Sequence, residues 1–322
     1  MSNNIDAVIL YVDMNDSVWR RKFNKYVEEN EIPNKYINNE RRFRDYGSLL
    51  SVLRSIDMYA PWINNVFLVV QSDSQVPDWV NRDTVKVVLH EEFIPRDFLP
   101  TFNCNTIETH LHFIPELGEK FIYFNDDTLL NKINNKEDYF IGDKCVYYMT
   151  KRMSNDKLKS IDQLFYRKMR FSNIKALHKN FKEINLDYIY YNSHGPTPMI
   201  KSICGEIYEK IDIKNHISVF REYKNLTQEL FTIYMLYKRK LILMENSVNT
   251  NDRPNLTTIK NKYISEYLPK NHEKTIINFF SGHKKTFCMN DVFYNSETDI
   301  DLCKEIKRIL NIRFFKKCKY EK

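Results

Sequence analysis

Two short acidic clusters follow apolar runs in this chain, and the first comes very early. Asp13, Asn15 and Asp16 stand directly after the apolar run of residues 7–12. Carboxylates at the end of a buried strand can hold a divalent cation or position a phosphorylated ligand. The same residues can also form a solvated turn, in which Asp16 or Ser17 caps the following helix. Spacing alone leaves both interpretations open.

The second acidic cluster repeats this pattern further along the chain. Asn125, Asp126 and Asp127 follow the apolar run of residues 121–124. Adjacent carboxylates suit Mg²⁺, which prefers oxygen ligands and usually also contacts substrate phosphates. Because the carboxyl ends of parallel strands meet at one edge of a sheet, two acid-ended strands indicate one ligand-binding edge. A polar loop without a ligand is the competing interpretation.

Arginines are concentrated just before a predicted helix. Arg41, Arg42 and Arg44 surround Phe43, and Asp45 follows them. A guanidinium group binds phosphate through two hydrogen bonds and keeps its charge, so this cluster predicts a phosphate contact. Local pairing of arginine with Asp45 is the competing interpretation.

Further candidate residues are scattered through the second half of the chain. His194 lies in a loop interrupted by glycine and proline, where its near-neutral pKa suits a general base. Arg221 and the pair Asn290 and Asp291 are the remaining polar candidates. Taken singly, each of these residues is a weak signal.

The apolar periodicity predicts an α/β fold, with a mainly parallel sheet flanked by helices. A mostly helical, charged subdomain or insertion is expected after the first half. Residues 1–150 are predicted to form the core with the donor and metal site, 151–275 a mainly helical acceptor or lid region, and 276–322 a return to the core with a basic terminal helix. The predicted strands cover residues 7–12, 65–70, 85–89 and 121–124, and the predicted helices cover 17–29, 47–59, 107–114, 199–210, 226–240 and 300–322.

The positive charge is concentrated at the carboxyl terminus. The chain has a net charge of +7, and residues 304–322 alone hold eight Lys or Arg and two Glu. A general nucleic-acid surface is therefore not expected. Apolar residues interleave with these cations, so the tail either lies on an anionic membrane surface or packs on the core as an ordinary terminal helix. The apolar residues concerned are Ile306, Ile309, Leu310, Ile312 and Phe314.

Targeting signals are not evident in the sequence. No apolar run reaches about 18 residues, so no transmembrane helix is expected. The amino terminus lacks the basic and apolar regions of a secretory signal. The six cysteines follow no metal-binding or disulfide spacing. The protein is therefore expected in the cytoplasm.

The ordered motifs together resemble the Stealth family of capsular polysaccharide phosphotransferases, which is related to the lysosomal-enzyme N-acetylglucosamine-1-phosphotransferase. The first block is represented by AVILYVDMND, in which Tyr11 and Met14 depart from the usual Trp and Gly. The second and strongest block runs from residue 42 to residue 80 and continues from 99 to 130. HGPTPMIKSI resembles the third block and CMND the fourth.

The resemblance implies a Rossmann-like core and transfer of a hexose-1-phosphate from an NDP-sugar, commonly a UDP-hexosamine, to a sugar hydroxyl. The acceptor would be a capsular or surface polysaccharide, or a lipid-linked glycan. The resemblance also implies a need for Mg²⁺ or Mn²⁺. A metal-dependent glycosyltransferase that releases NDP and a non-catalytic carbohydrate-binding protein on the same fold remain the alternatives.

The resemblance also assigns roles to the candidate residues. His194, Arg44, Asp45 and Arg221 are the catalytic candidates, with His194 as the base and Asp45 as its competitor. The substrate-binding candidates are Asp13, Asn15, Asp16, Arg42, Asn103 and Lys201. The metal-binding candidates are Asp126, Asp127, Asn290 and Asp291.

Overall fold

The fold is described from a computed structural model of the chain. It describes residues 4–33, 43, 45, 47–154, 165–182, 184, 188–192, 195–245, 256–260, 285–290 and 297–322. The strands are β1 Ile5–Leu10, β2 Val66–Val70, β3 Val85–Leu89, β4 Lys120–Asn125, β5 Thr128–Leu130, β6 Phe140–Ile141, β7 Lys144–Ser154, β8 Tyr188–Asn192, β9 Thr197–Ile200, β10 Leu241–Glu245, β11 Leu256–Lys260 and β12 Thr286–Asn290. The helices are α1 Ser17–Glu29, α2 Ser48–Tyr59, α3 His90–Phe93, α4 Cys104–His110, α5 Phe165–Asn180, α6 Lys201–Lys210, α7 Gln228–Tyr237 and α8 Glu297–Arg313.

A five-stranded sheet with the order β3-β2-β1-β4-β9 forms the centre of the molecule. The first four strands are parallel, and β9 at the edge is antiparallel to β4. Every residue of β1 and β2 is buried, as expected for strands that are covered on both faces. The predicted α/β fold with a mainly parallel sheet is therefore confirmed. The carboxyl ends of β1 to β4 all lie at one edge.

Two smaller sheets extend this core. The strand β7 pairs with β6, β8 and β10, and β12 pairs with β5 and β11. In the described part of the segment 151–275, the helices α5, α6 and α7 alternate with strands. One of these strands, β9, belongs to the central sheet. The predicted helix from residue 199 begins only at Lys201, because Thr197–Ile200 pairs with β4.

A buried aspartate in β1 connects the chain segments that precede β2 and β4. Asp6 in β1 is 2% exposed, and its Oδ1 accepts hydrogen bonds from Asn64 Nδ2, Asn65 N and Asn65 Nδ2 at 3.0–3.1 Å. Its Oδ2 accepts one from Gly118 N at 2.8 Å. A Cβ on Gly118 would lie only 2.8 Å from this oxygen, which explains the glycine.

Replacing Asp6 with alanine is expected to lower the free energy of unfolding by about 3 kcal/mol, because it leaves several buried donors without an acceptor. Urea unfolding followed by circular dichroism measures this loss. The exposed Asp97 provides the control, and Asp97→Ala is expected to change stability by less than about 0.5 kcal/mol. Equal stability of the two variants would contradict this account of Asp6.

Three histidines are buried and make stability depend on pH. Burial lowers the pKa of His90 to about 3 and that of His112 to about 4, and it also lowers the pKa of His110. The unfolded chain, with a histidine pKa of about 6.5, therefore binds protons below that pH that the folded chain does not bind. The free energy of unfolding should fall as the pH drops from about 7, by about 2 kcal/mol each for His90 and His112 near pH 5.

His112→Phe tests this pH dependence. The His112 ring packs on Phe113 and Tyr208, so a phenyl ring can keep these aromatic contacts. Unfolding measured between about pH 8 and pH 5 is expected to show a shallower pH slope in this variant than in the wild type. His178→Phe at an exposed position is the control. Parallel slopes for all three proteins would refute the assignment to His112.

Candidate active site

Carboxylates converge at the edge of the sheet where the parallel strands end. Asp13 follows β1, while Asp126 and Asp127 follow β4, and these strands are neighbours with Leu10 opposite Asn125. Asp45, which stands before α2, joins this group through Tyr11. The two acidic clusters thus lie at one edge, as the sequence predicted.

Asp126 and Asp127 form the most crowded part of this group. Burial, reinforced by the negative charges of Asp127 and Asp45, raises the pKa of Asp126 well above its usual range. Asp127 accepts hydrogen bonds from the Cys288 thiol at 3.4 Å and the Thr128 hydroxyl at 3.5 Å. A cation bound here would relieve the repulsion between the carboxylates.

Asp45 is held firmly by the start of α2. Its Oδ1 accepts hydrogen bonds from Gly47 N at 2.8 Å, Ser48 N at 3.0 Å and the Ser48 hydroxyl, while its Oδ2 accepts from Tyr11 Oη at 3.0 Å. Gly47 has a φ of 75°, a conformation that glycine adopts at low cost. Since four donors occupy the Asp45 carboxylate, it is a poor candidate for a base that must take up a proton.

Tyr11 directly follows β1 and links that strand to Asp45. Burial, together with the negative charges of Asp45 and Asp13, raises the pKa of Tyr11 far above its usual range. The hydroxyl is therefore a fixed donor to Asp45 and stays protonated. This hydrogen bond helps to position the Asp45 carboxylate.

The first acidic turn combines a helix cap with a tether to the loop after β2. Asp16 is the N-cap of α1, accepting hydrogen bonds from Val18 N and Trp19 N. It also accepts from Ser74 Oγ and from Gln75 Nε2. Burial alone would raise the pKa of Asp16, but the hydrogen bonds from Gln75 and Ser74 outweigh it and the pKa is lowered.

The Asp16 carboxylate thus has capping and tethering partners, and its predicted substrate contact stays a prediction. Gln75, which the sequence interpretation missed, is 2% exposed and bonds both the N–H and the C=O of Asp13. Asp13 Oδ1 in turn accepts two hydrogen bonds from the exposed Asn15. Asp13 and Asn15 are therefore the members of this turn that remain at the surface of the edge.

A buried acid lies behind the second cluster. Glu108 in α4 is 6% exposed and accepts a hydrogen bond from Tyr123 Oη at 3.0 Å. The same hydroxyl lies 2.5 Å from Asn125 Oδ1. Burial raises the pKa of Glu108, and the positive charge of Arg221 counteracts this effect. Sequence reasoning missed Glu108, because an isolated glutamate in a short, mostly polar helix has no distinctive spacing.

Arg221 is brought to this network by a loop that Asn103 holds. Asn103 Nδ2 contacts Ser218 O, Phe220 O and Asn225 Oδ1 at 3.0–3.3 Å, and Asn103 Oδ1 caps α4. The Arg221 guanidinium contacts the Cys104 sulfur at the start of the same helix. Asn103 is 1% exposed, so its predicted substrate contact is replaced by a structural role: it positions the loop that carries Arg221.

Lys201 lies at the wrong end of the sheet for the predicted substrate contact. It follows β9, and its neighbour Ile200 pairs with Lys120 at the amino end of β4. Its ammonium group donates to the carbonyls of Ile114 and Leu117 at 3.3 and 3.0 Å. Lys201 therefore ties α6 to the chain before β4, and the structure does not bring it to the acidic edge.

Four predicted site residues lie outside the described residues: Arg42, Arg44, His194 and Asp291. Asn290 ends β12, two residues after Cys288, whose thiol contacts Asp127. Strand β9 starts with Thr197 opposite Tyr123, two residues before Asn125. The chain that follows His194 therefore enters the sheet beside the acidic edge.

The oxygen donors of Asp126 and Asp127 suit a hard cation such as Mg²⁺. Within the part of the chain that the structure describes, no three His, Cys, Asp or Glu side chains are grouped closely enough to hold a metal ion. The described carboxylates thus fit part of a metal site, and the remaining ligands would come from residues beyond them or from the substrate. In the same described part, no helix is long and apolar enough to cross a membrane.

The protein has an α/β fold. Acidic residues line the edge of the central sheet at which the parallel strands end, and the charge of Arg221 acts on the buried Glu108 next to this edge. Comparison with known proteins places this chain more closely. Its residues 42–147 match Stealth protein CR2, conserved region 2. The chain is 31% identical over 342 residues to a capsular polysaccharide phosphotransferase WcwK of Streptococcus pneumoniae, covering 97% of this chain and 95% of that protein. The chain belongs to the Stealth family.

A second relative and a solved structure complete the comparison. The capsular polysaccharide phosphotransferase eps5J of Streptococcus thermophilus is 36% identical over 191 residues, which cover 57% of this chain and 79% of that protein. Mouse xyloside xylosyltransferase 1 superimposes with a TM-score of 0.41 at 10% identity, covering 90% of this chain and 98% of that chain. The structural likeness is distant and has no bearing on the site.

Proposed function

We propose that this protein is a sugar-1-phosphate transferase of capsular or surface polysaccharide synthesis. It moves hexose-1-phosphate from an NDP-sugar, a UDP-hexosamine being our first choice, to a hydroxyl of a growing glycan. The observation that carries the proposal is the meeting of Asp126, Asp127 and the Arg221 network at one sheet edge. The chain is similar along nearly its whole length to proteins named capsular polysaccharide phosphotransferases.

The reaction requires attack on phosphorus. The acceptor hydroxyl oxygen forms a bond to the sugar-proximal phosphorus, and the bond from that phosphorus to the bridging oxygen breaks. The nucleoside monophosphate leaves with the bonding electrons, and the acceptor proton passes to a base. Phosphoryl transfer depends mainly on positioning and on compensating negative charge, so acids that bind metal and arginines that bind phosphate are the parts it needs.

The residues take the following roles in this proposal. Asp126 and Asp127, with Asn290 and Asp291, hold Mg²⁺ or Mn²⁺, which supplies compensation for the charge on the diphosphate. Arg44 and Arg221 contact the transferred phosphoryl group, and Arg42 contacts the donor. His194 takes the acceptor proton, a role favoured over Asp45 because four donors already occupy that carboxylate. Asp13 and Asn15 line the donor pocket.

The proposed place of action is the cytoplasm, at the inner face of the membrane. NDP-sugars are charged molecules that do not cross a lipid bilayer unaided, and lipid-linked glycans are acceptors held at that surface. The acceptor in this proposal is therefore a polysaccharide or a lipid-linked glycan. Nucleic acid is not a partner in it, since most of the net charge is concentrated in residues 304–322.

A donor screen tests the proposed reaction class. Purified protein is incubated with Mg²⁺, a panel of UDP-, GDP- and CDP-sugars, and oligosaccharide fragments of bacterial capsules. Nucleotides are then separated by chromatography. Acceptor-dependent release of a nucleoside monophosphate is the expected result. Acceptor-dependent release of a diphosphate would identify a glycosyltransferase, and glycan binding without turnover of any donor would identify a binding protein.

A further inference from the structure

The basic carboxyl-terminal segment packs on the core through most of its apolar side chains. Ile306, Ile309, Leu310 and Phe314 are 0–9% exposed. This finding corrects the sequence hypothesis that these residues form a membrane-binding face, because the same side chains are used by the core. Among the five apolar residues of that hypothesis, only Ile312 remains outside, with 60% of its surface exposed.

A different apolar pair is presented to solvent. Phe315 is 79% exposed, and it stands three residues after Ile312 at the end of α8. It belongs to a short projection, Phe315, Lys316 and Lys317, between the buried Phe314 and Cys318. Burying so large an aromatic surface against a partner is favourable, so Phe315 is a candidate contact residue.

The projection is anchored on both sides. Arg54 of α2 donates to Phe314 O at 2.6 Å and pairs with Glu321 at 2.7 Å. Glu321 also forms a β-bridge with Val80, and Cys318 N donates to its carboxylate. These contacts fix the backbone before and after residues 315–317. The exposed side chains of residues 315–317 are therefore carried by a segment whose backbone is anchored at both ends.

Positive charge surrounds the apolar pair. Residues 304–322 contain eight Lys or Arg and two Glu. Both glutamates are paired, Glu305 with Arg308 at 2.8 Å and Glu321 with Arg54 at 2.7 Å. Lys316 and Lys317 are exposed beside Phe315. Ile312, Phe315, Lys316 and Lys317, here called the tail surface, therefore combine exposed apolar side chains with exposed cations in one short stretch of chain.

We propose that the tail surface docks the enzyme on a membrane that contains anionic lipids. Apolar side chains enter the boundary between headgroups and acyl chains, while lysines contact the headgroups, which is the pattern of interfacial membrane binding. A second copy of this chain fits less well, because a two-fold interface would bring like charges together. The proposal adds a partner to the proposed function and does not depend on the chemistry of transfer.

Arg313 contacts Tyr59, the last residue of α2, whereas Asp45 stands at the start of that helix beside the acidic edge. The 12 residues of α2 span about 18 Å. Arg313, which lies between Ile312 and Phe315 in the sequence, is therefore at the opposite end of α2 from Asp45.

Sedimentation with lipid vesicles tests the docking proposal. The full chain is mixed with phosphatidylcholine vesicles that either contain or lack phosphatidylglycerol. Wild type is expected to sediment only with the anionic vesicles. Replacing both Lys316 and Lys317 with glutamine should lower the partition coefficient of the protein between water and anionic vesicles roughly 25-fold, about fivefold for each charge. Phe315→Ser should lower the same coefficient about tenfold, whereas Phe315→Trp should keep it at the wild-type value.

Matched controls separate docking from unfolding. Ile141→Ser alters an exposed apolar residue in the β6–β7 hairpin and is expected to leave sedimentation unchanged. Circular dichroism verifies that every variant is folded, and nucleotide release with a soluble acceptor verifies turnover independently of membrane binding. Equal sedimentation of wild type and the tail variants would overturn the proposal. So would dimerisation through Phe315, or binding of an oligonucleotide in place of the vesicles.

Discussion

Asp127→Asn is expected to lower kcat by about a thousandfold, which corresponds to about 4 kcal/mol of lost transition-state stabilisation. Asparagine keeps the size of the side chain but removes a negative charge that we assign to cation binding. The Asp127 side chain contacts the Cys288 thiol and the Thr128 hydroxyl, and both contacts can persist with an amide. The loss should therefore appear in turnover and in the Mg²⁺ concentration needed for half-maximal rate. Thermal unfolding should change little.

Two control variants separate charge from packing at this position. Cys288→Ser keeps a donor beside Asp127 and should retain most of the activity. Asp143→Asn removes an exposed carboxylate that pairs with Lys240 far from the acidic edge, and it should leave kcat unchanged. If Asp127→Asn turns over as fast as these controls at every Mg²⁺ concentration, Asp127 has no role in cation binding.

Arg221→Lys is expected to lower kcat by about a hundredfold, and Arg221→Ala by about a thousandfold. A lysine retains the charge but not the planar fork that contacts two phosphate oxygens at once. Arg221 lies against Cys104 at the start of α4 and near the buried Glu108, so its position is set before substrate binds. Because we assign its contact to the transferred group, kcat should fall much more than the donor KM rises.

The loop that carries Arg221 provides a second way to test the same assignment. Asn103→Ala removes the amide that holds Ser218, Phe220 and Asn225, and it should reproduce part of the Arg221→Ala loss with wild-type donor binding. Arg308→Lys, which alters an exposed arginine paired with Glu305 on α8, is the control. A normal kcat in Arg221→Lys, with only a raised donor KM, would reassign Arg221 to ground-state binding.

Local patterns predicted the elements that form the acidic edge. The helix predicted over residues 17–29 is observed as Ser17–Glu29, because Asp16 caps its first turn. Apolar runs located the four parallel strands, and the acidic residues after β1 and β4 identified the edge at which they meet. These features depend on neighbours within a few residues, so periodicity and capping chemistry suffice to find them.

Long-range contacts could not be predicted in this way. Tyr123 joins Glu108 to Asn125, and Asn103 contacts a loop more than 100 residues away, as the separation of Asn103 and Ser218 shows. The spacing of these residues in the sequence does not predict such pairs. Lys201 was misplaced for a related reason: β9 runs antiparallel to β4, which carries its last residue to the opposite end of the sheet.

The terminal helix shows the same limit of prediction from local sequence patterns. Its apolar periodicity was equally compatible with a membrane surface and with the core. The choice depended on whether α2 offers a complementary face, and Arg54 and Tyr59 supply anchoring contacts there. A period of 3.6 residues identifies which residues share a face, but it does not identify the partner of that face.

The most direct test of the central claim is the fate of the sugar-proximal phosphate. A UDP-hexosamine labelled with ³²P at that phosphate is incubated with the enzyme, Mg²⁺ and an acceptor oligosaccharide, and the glycan is separated from the nucleotides. Sugar-1-phosphate transfer predicts label in the glycan and unlabelled UMP in the nucleotide fraction. Label that leaves entirely with UDP, while the unlabelled sugar enters the glycan, would contradict the account and identify glycosyl transfer.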